Sequence, residues 1–258
     1  MTLPPPNPAL RICVVVPARN EEELVGSCLR ALAEQEGVSH EEYEILLVLD
    51  RCTDGTEKRA RDVAASFPSL RLHFLEGPGK GSGHARRVGL EGACARLHAV
   101  GRPQALISST DADTIVAPDW ISAQLAAAGR GARAIGGSIE LADDARVSEA
   151  LLGWHASRGD FRLRRLLSRP DRSGTTEHWR FSGASMALTA AVYRKIGGLE
   201  PRDTLEDEHL ERALLRHGIP IERLLSVRVT TSARLVGRAS QGLAHDLSAA
   251  AKMLGVDE

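Results

Sequence analysis

Short, continuously apolar segments alternate with helical patterns through the first half of the chain. The apolar runs cover residues 12–16, 45–49, 70–75 and 105–108. The helical patterns between them cover residues 21–33, 56–65 and 84–98. Apolar strands of this kind, separated by helices, are typical of a parallel sheet that is covered on both faces. The chain is therefore predicted to adopt an α/β fold with a mainly parallel central sheet flanked by helices.

The second half of the chain is less regular but continues to combine strands and helices. A glycine-containing turn and a short strand are predicted over 182–188, with further strands over 134–139 and 221–229. Helices are predicted over 147–167, 189–196, 205–217 and 238–254. No internal repeat or interdomain linker separates these segments. This predicts one domain over 11–258 after a flexible, Pro-rich leader over 1–10.

The composition excludes several classes of protein. The 33 Lys and Arg nearly cancel the 34 Asp and Glu, so no global charge attracts nucleic acid. No uninterrupted apolar segment approaches the roughly 20 residues that span a bilayer. The leader lacks the basic and apolar parts of a signal peptide, so a cytoplasmic protein without a nucleic-acid partner is expected. The four cysteines show no C-x-x-C pattern and are predicted to be free thiols.

Two aspartates, one residue apart, follow the fourth apolar run. In extended backbone, side chains at i and i+2 point the same way, so Asp111 and Asp113 can converge on one cation. Hard oxygen ligands suit Mg²⁺ or Mn²⁺, and Mg²⁺ commonly completes its coordination with water and substrate phosphates. The pair therefore predicts a metal that holds a diphosphate, although Asp-x-Asp alone is more often a solvated turn.

Polar loops that follow the predicted strands are expected to meet. In open α/β sheets, ligands bind beyond the carboxyl ends of the strands. Asn20, Asp50, Lys80 and Asp111 all lie in loops that follow predicted strands. Their side chains are therefore expected along one rim of the sheet.

Five short motifs occur in a fixed order along the chain. They are Pro17-Ala18-Arg19-Asn20-Glu21, Asp50, Lys80-Gly81 with Ala85-Arg86, Asp111-Ala112-Asp113 and Leu205-Glu206-Asp207-Glu208. In this order and structural context, they resemble the family 2 glycosyltransferases, which have the GT-A nucleotide-diphospho-sugar transferase fold. The resemblance covers about residues 11–220, most of the chain, and rests on the combination because each motif is modest alone.

The resemblance implies a donor half over about 11–115 that binds a nucleotide-diphosphate sugar. Pro17, Arg19 and Glu21 would line the nucleoside pocket. Asp50 would hold the base or the ribose.

At the diphosphate, the resemblance implies two cationic side chains and a metal. Lys80 and Arg86 would offset the negative charge of the phosphates. Asp113 would ligate the Mg²⁺ or Mn²⁺ most directly, and Asp111 would contact the ribose or the metal. The chain departs from the family at Arg87, where Asn commonly follows Ala-Arg.

The resemblance implies an acceptor half over about 116–258. Residues 181–185 match a glycine-containing turn of the family, with Gly183 beneath the sugar and acceptor. Asp207 would be the general base that takes the acceptor's proton. The structural alternative is that Thr204 caps the helix and Asp207 is the acid three residues on, as in a capping box.

These features imply a metal-dependent, non-processive glycosyltransferase that moves one sugar to an acceptor hydroxyl with inversion. The acceptor is an unidentified small molecule, glycan or lipid-linked molecule. Transfer of a single sugar is favoured because the chain lacks the Gln-x-x-Arg-Trp element and the membrane helices of polymerising members.

Two alternatives stay open: a retaining enzyme of the glucosyl-phosphoglycerate synthase type, and a non-catalytic nucleotide-binding regulatory module. A sugar nucleotidyltransferase is disfavoured, because the loop after the first strand contains no glycine.

An arginine-rich segment occupies residues 158–172 of the acceptor half. Its arginines are Arg158, Arg162, Arg164, Arg165, Arg169 and Arg172. Such a segment is most often a solvated face. The functional alternatives are contact with a phosphorylated or lipid-linked acceptor and peripheral contact with the inner face of an anionic membrane. Trp154 and Trp179 flank this region and are expected either to stack on a sugar or to pack in the core.

Overall fold

The structure is a computed structural model that describes residues 3–142, 148–168, 174–200, 202, 205–237 and 241–256. Within these ranges the strands are β1 (Ile12–Ala18), β2 (Tyr43–Leu49), β3 (Leu72–Glu76), β4 (Leu106–Ser109), β5 (Thr114–Val116), β6 (Ala134–Leu141), β7 (Met186–Thr189) and β8 (Glu222–Thr231). The helices are α1 (Val25–Ala33), α2 (Thr56–Ser66), α3 (Ser82–Ala99), α4 (Trp120–Gly129), α5 (Glu149–Leu167), α6 (Ala190–Lys195), α7 (Glu206–Arg216) and α8 (Leu243–Leu254).

The strands form one mixed sheet in the order β3-β2-β1-β4-β7-β6-β8-β5. Strands β3, β2, β1 and β4 are parallel, as the apolar runs predict. Antiparallel pairing enters at β7, which lies between β4 and β6, and at β5, which pairs with β8. The β6 and β8 pair is again parallel. The predicted α/β fold with a mainly parallel sheet flanked by helices is confirmed.

Apolar clusters cover both faces of the sheet, and the alternation along β1 shows how. Ile12, Val14 and Val16 point into a cluster that includes residues of α1, α2 and α4. Cys13 and Val15 point into the opposite cluster, which includes residues of α3, α6 and α7. Because both faces are buried, the strand reads as a continuous apolar run rather than an alternating one.

The directions of the strands place several chain segments at one rim. Strands β1, β2 and β4 run in parallel, so the loops that follow them meet at their carboxyl ends. The antiparallel steps through β7 and β6 restore this direction, and β8 runs parallel to β6. The segment after β8 therefore reaches the same rim as the loops of the first half.

The sequence patterns do not indicate β5 or α4. Strand β5 has three residues, too few for a periodic pattern, and is defined by its pairing with β8. Helix α4 is fixed by tertiary contacts: Trp120 is fully buried and donates its indole N–H to Ser185 Oγ (3.0 Å).

Helices α1 and α8 begin several residues later than their patterns predict. Helix α1 begins at Val25 rather than at residue 21, because the N–H of Glu21 donates to Thr56 Oγ1 (2.7 Å) and the chain turns there. Helix α8 begins at Leu243 rather than at residue 238. Gly242 has φ of +115°, outside the helical region, and residues 238–240 lie outside the described ranges.

All four cysteines are free, as predicted, and three of them are buried. None of the helices in the described ranges combines the length and apolar character that crossing a bilayer requires.

A buried ion pair connects β2 to α3 on the face of the sheet that α3 covers. Arg96 donates to both carboxylate oxygens of Glu44, which is 1% exposed. Burial alone would raise the pKa of Glu44, but the hydrogen bonds from Arg96 and His73 outweigh it and lower this pKa to about 2. Arg96 also donates to the carbonyl of Pro4 (2.8 Å), so the leader contacts this pair.

The Glu44→Gln substitution is expected to lower the free energy of unfolding by about 3 kcal/mol, because it leaves the Arg96 charge buried without its counterion. Urea unfolding at neutral pH measures this loss. The lowered pKa of Glu44 means that its contribution is complete above about pH 4.5 and is lost as the pH falls toward 2. The difference between wild type and Glu44→Gln should therefore shrink below about pH 4.5.

The matched control is Glu57→Gln on α2. Glu57 also accepts from an arginine, Arg61 Nη2 (2.6 Å), but its side chain is 50% exposed. A surface pair contributes little, so the change should stay within about 0.5 kcal/mol. Equal effects of the two substitutions would contradict a stabilising role for the buried pair.

Candidate active site

A cavity of about 690 Å³ opens at the rim where the carboxyl ends of the parallel strands meet. The residues predicted to hold the donor, the metal and the acceptor proton all line it, whereas Asn20, also expected at this rim, is not among its lining residues and accepts the N–H of Thr53 (2.8 Å). The predicted residues that line it are Pro17, Arg19, Glu21, Asp50, Lys80, Arg86, Asp111, Asp113, Gly183 and Asp207. The fold thus brings residues from both halves of the chain to one place, while their chemical roles stay predictions.

Asp50 is buried directly after β2 and fixes the loop that follows β3. Its Oδ1 accepts the N–H of Gly79 (2.5 Å), and its Oδ2 accepts the N–H of Gly81 (3.0 Å). Arg19 Nη1 lies 3.8 Å from Oδ2. Lys80, between the two glycines, is exposed at the cavity. The carboxylate predicted to hold the base or ribose therefore also holds the loop that carries Lys80.

Arg234 enters the cavity from the segment after β8, although no motif indicates it. Its Nη1 and Nη2 donate to the two carboxylate oxygens of Glu21 (3.0 and 2.9 Å). Its Nη2 also lies 2.7 Å from Asp113 Oδ2. The strand pattern over 221–229 is the signal that could have placed it, because that strand ends at the same rim.

Asp111 and Asp113, the carboxylates predicted to hold a metal, both line the cavity. Burial, and next the negative charge of Asp111, raises the pKa of Asp113 to about 6, although Arg234 opposes this shift. In the part of the chain that the structure describes, no group of three or more His, Cys, Asp or Glu side chains could hold a metal. Two carboxylates fit Mg²⁺ or Mn²⁺ that takes its remaining ligands from a diphosphate and water.

Arg86 is buried on α3 and joins the two halves of the site. Its Nη2 donates to Asp111 Oδ1 (2.8 Å), and its Nε donates to Glu206 Oε1 (3.1 Å). Its Nη1 donates to Ser109 Oγ (2.6 Å) and to the carbonyl of Gly183 (3.1 Å). The guanidinium predicted to sit near the diphosphate is therefore held by protein acceptors on three of its nitrogens.

The close approach of Arg86 explains why a glycine occupies position 183. A Cβ atom at Gly183 would lie 2.5 Å from Arg86 Cζ, far inside van der Waals contact. Burial lowers the pKa of Arg86, but the charges of Asp111 and Glu206 outweigh this and raise it overall. Arg86 is thus a permanent buried cation that two carboxylates compensate.

Asp207 lies in the first turn of α7 and faces the cavity. Its Oδ2 accepts the N–H of Gly183 (3.2 Å), and its Oδ1 accepts the N–H of Glu208 (2.9 Å). The proposed cap Thr204 lies outside the described residues, and Leu205 occupies the N-cap position with φ of +58°. Asp207 therefore accepts a backbone N–H of its own helix while lining the cavity, as a base must. The capping-box alternative stays a prediction, because it depends on Thr204.

A second cavity, of about 680 Å³, adjoins the first. Both are lined by Asp207, Ser182 and Arg180, so they meet at the candidate base. The second cavity is also lined by Trp154, Trp179, Arg158, Arg162 and Arg165. Arg164 is exposed elsewhere on α5, and Arg169 and Arg172 lie outside the described residues.

Comparison with known families and curated proteins gives a consistent match. Residues 8–244 match the family model described as "Glycosyltransferase like family 2". Over 130 residues the chain is 27% identical to the glycosyltransferase AglE of Haloferax volcanii. That alignment covers 50% of this chain and 39% of AglE, so the chain spans less than half the length of this relative.

Solved structures show the same fold. The mannosyltransferase PcManGT from Pyrobaculum calidifontis, in complex with GDP-Man and Mn²⁺, superposes with a TM-score of 0.62 at 20% identity, over 92% of this chain and 60% of its own. The S. aureus TarS 1–349 structure in complex with UDP-GlcNAc superposes with a TM-score of 0.63 at 15% identity, over 96% of this chain and 66% of its own. The predicted GT-A fold is therefore confirmed.

Arg86→Met is expected to lower the free energy of unfolding by about 3 kcal/mol, because it leaves Glu206 buried without a counterion. Urea unfolding of the purified variant measures this loss. The neighbouring substitution Arg87→Met is the control, since Arg87 is 42% exposed and donates to Glu91 on the same helix. It should change the stability by no more than about 0.5 kcal/mol. Equal stabilities of the two variants would show that Arg86 does not join the site.

Proposed function

We propose that this chain, which belongs to the family 2-like glycosyltransferases, transfers one sugar from a nucleotide-diphosphate sugar to an acceptor hydroxyl. One observation carries the proposal. The residues that the resemblance assigns to the nucleoside, the diphosphate, the metal and the base line a single cavity, although they come from distant parts of the chain. Structures of the same fold hold GDP-Man and UDP-GlcNAc, which supports a sugar nucleotide as the donor class.

The donor would lie along the rim from β2 to β4. Arg19, Glu21 and Asp50 line the end of the cavity proposed for the nucleoside. Lys80 lies on the loop held by Asp50, where its ammonium group can offset the charge of the phosphates.

Asp111 and Asp113 are proposed to hold Mg²⁺ or Mn²⁺. When bound, such a metal neutralises charge on the diphosphate and so improves the leaving group. The related structure with Mn²⁺ supports a divalent metal. Arg234 neutralises Asp113 in the described structure and would release it as the cation binds.

Asp207 is proposed to be the general base. The N–H groups of Gly183 and Glu208 fix its carboxylate at the junction of the two cavities. It would accept the proton of the acceptor hydroxyl as the oxygen bonds to the anomeric carbon. The electron pair of the broken bond leaves with the nucleoside diphosphate. A single displacement of this kind inverts the anomeric configuration.

Transfer of one sugar per encounter is proposed because the sequence lacks the Gln-x-x-Arg-Trp element of polymerising members.

The proposed inversion can be read from the anomeric configuration of the product by NMR. Retention at the anomeric carbon would contradict the single displacement.

The donor site can be tested by thermal shift with UDP-, GDP-, dTDP- and CDP-sugars, each with Mn²⁺, Mg²⁺ or EDTA. A ligand at a hundred times its dissociation constant stabilises the folded state by about 2.7 kcal/mol, so binding is readily seen. One nucleotide class is expected to give a metal-dependent shift that Asp113→Ala abolishes. The control Asp62→Ala, at an exposed position of α2, should keep the shift. No shift with any sugar nucleotide would argue against the donor site.

Asp207→Asn is expected to bind the donor as the wild type does but to lose transfer by about 10²–10⁴-fold, because the amide cannot take the proton. Donor binding is followed by thermal shift, and transfer is followed by release of the nucleoside diphosphate. Glu208→Gln is the matched control, since this neighbouring carboxylate pairs with Arg212 (3.1 Å). Near-normal turnover of Asp207→Asn would rule out the base assignment. A wild-type protein that binds the donor without any turnover would instead favour the regulatory alternative.

A further inference from the structure

The second cavity is positively charged where it meets the candidate base. We call it the arginine–tryptophan pocket and define it by Arg158, Arg162, Arg180, Trp154 and Trp179. Arg158, Arg162 and Trp154 come from α5, whereas Trp179 and Arg180 precede the glycine turn. Two separate segments therefore bring their cations to one concave surface.

The tryptophans orient the guanidinium groups. Arg162 and Arg180 lie over the ring of Trp179, with Cζ atoms 4.3 and 4.6 Å from the ring centroid. Arg158 lies over Trp154 at 5.0 Å. Cation–π contacts of this kind hold a guanidinium in place without neutralising its charge. The donors of Arg162 and Arg180 are therefore positioned for an acceptor other than a protein carboxylate.

Few anionic groups compensate these cations. Among the described residues, neither Arg162 nor Arg180 has a carboxylate within 4.0 Å, whereas Arg158 pairs with Asp246 (3.0 Å). The side-chain partner of Arg180 is His155, whose Nε2 lies 2.6 Å from Arg180 Nη2. Burial, and next the charge of Arg180, lowers the pKa of His155 to about 4, so this ring is neutral at pH 7 and accepts the hydrogen bond.

Two of the acids that line the second cavity pair with arginines outside the defined pocket. Glu208 pairs with Arg212 (3.1 Å), and Glu211 pairs with Arg223 (2.6 Å). Burial, and next the charge of Arg162, lowers the pKa of Arg180 to about 10. An anion in the pocket would remove this repulsion between the arginines.

We propose that the acceptor carries a phosphate group and that Arg162 and Arg180 bind this group while the acceptor hydroxyl faces Asp207. The inference rests on the proposed function, because it assigns the acceptor of that same site. Guanidinium groups match phosphate oxygens in charge and in bidentate geometry. A concave pocket next to the base selects a single anionic group on a substrate, whereas contact with a membrane needs an open cationic face.

The pocket can be probed with inorganic phosphate by isothermal titration calorimetry in EDTA, so that a metal at the donor site does not contribute. Arg162→Met is the informative variant, because no carboxylate of the described residues pairs with Arg162 and the fold should survive its loss. We expect phosphate to bind the wild type and at least about ten-fold more weakly to Arg162→Met, which is the loss of one charge-assisted contact. Arg164→Met is the control, since Arg164 is exposed on the same helix and does not line the pocket.

A nucleotide titration separates this inference from the proposed function. Arg162→Met should bind the metal and the nucleoside diphosphate as tightly as the wild type, because Arg162 does not line the donor cavity. Nucleotide binding without phosphate binding in the wild type would overturn the phosphate pocket alone. An equal loss of nucleotide and phosphate in Arg162→Met would also overturn it, since the pocket would then belong to the donor. Absence of nucleotide binding in the wild type would count against the donor site instead.

Binding to vesicles distinguishes a phosphate group on a lipid headgroup from one on a small substrate. Vesicles that contain phosphatidic acid are compared with vesicles of phosphatidylcholine alone, by sedimentation. Sedimentation with phosphatidic acid that depends on Arg162 but not on Arg164 supports a phosphate pocket that also accepts a lipid headgroup. Sedimentation that depends equally on both arginines would overturn the proposal in favour of a cationic membrane face.

Discussion

The buried guanidinium of Arg86 is the contact on which the site depends. It links α3 to the end of β4 through Ser109 and Asp111, to α7 through Glu206, and to the turn before β7 through the carbonyl of Gly183. These segments are distant in sequence, and the carboxylates of the site would repel one another without a shared cation. Because an unpaired charge in this position would be costly, removal of any one of these charged partners is expected to destabilise the others.

Carboxylates are also paired with arginines elsewhere along the rim at the carboxyl ends of the strands. Arg234 compensates Glu21 and Asp113, while Arg86 compensates Asp111 and Glu206. The donor cavity is thus an acidic surface neutralised by arginines. In the adjoining arginine–tryptophan pocket, Arg162 and Arg180 lack carboxylate partners among the described residues. In our account, a metal and a diphosphate enter the first cavity and the phosphate of an acceptor enters the second, with Asp207 between them.

Local sequence patterns predict the strands that are buried on both faces and the polar motifs that directly follow them. The apolar runs of β1 and β2 are visible because both faces of these strands are buried, and motifs such as Asp111-Ala112-Asp113 follow strand ends directly. The strand pattern of β8 could place Arg234 near the rim, but not its contact with Glu21, which lies 213 residues away and meets it only through the pairing of β8. Helix α4 was missed for a related reason, since its buried Trp120 is satisfied by Ser185 in a distant turn. Arg180, adjacent to the glycine turn, could have been singled out only by knowing that α5 packs its arginines beside it.

The most direct test of this account is a crystal structure of the protein with Mn²⁺ and the nucleoside diphosphate that binds it most tightly. We expect the nucleoside to lie against Arg19 and Asp50 and the diphosphate next to Asp111 and Asp113, with Arg234 displaced from Asp113. A nucleotide bound away from this cavity, with Asp113 still paired to Arg234, would contradict it.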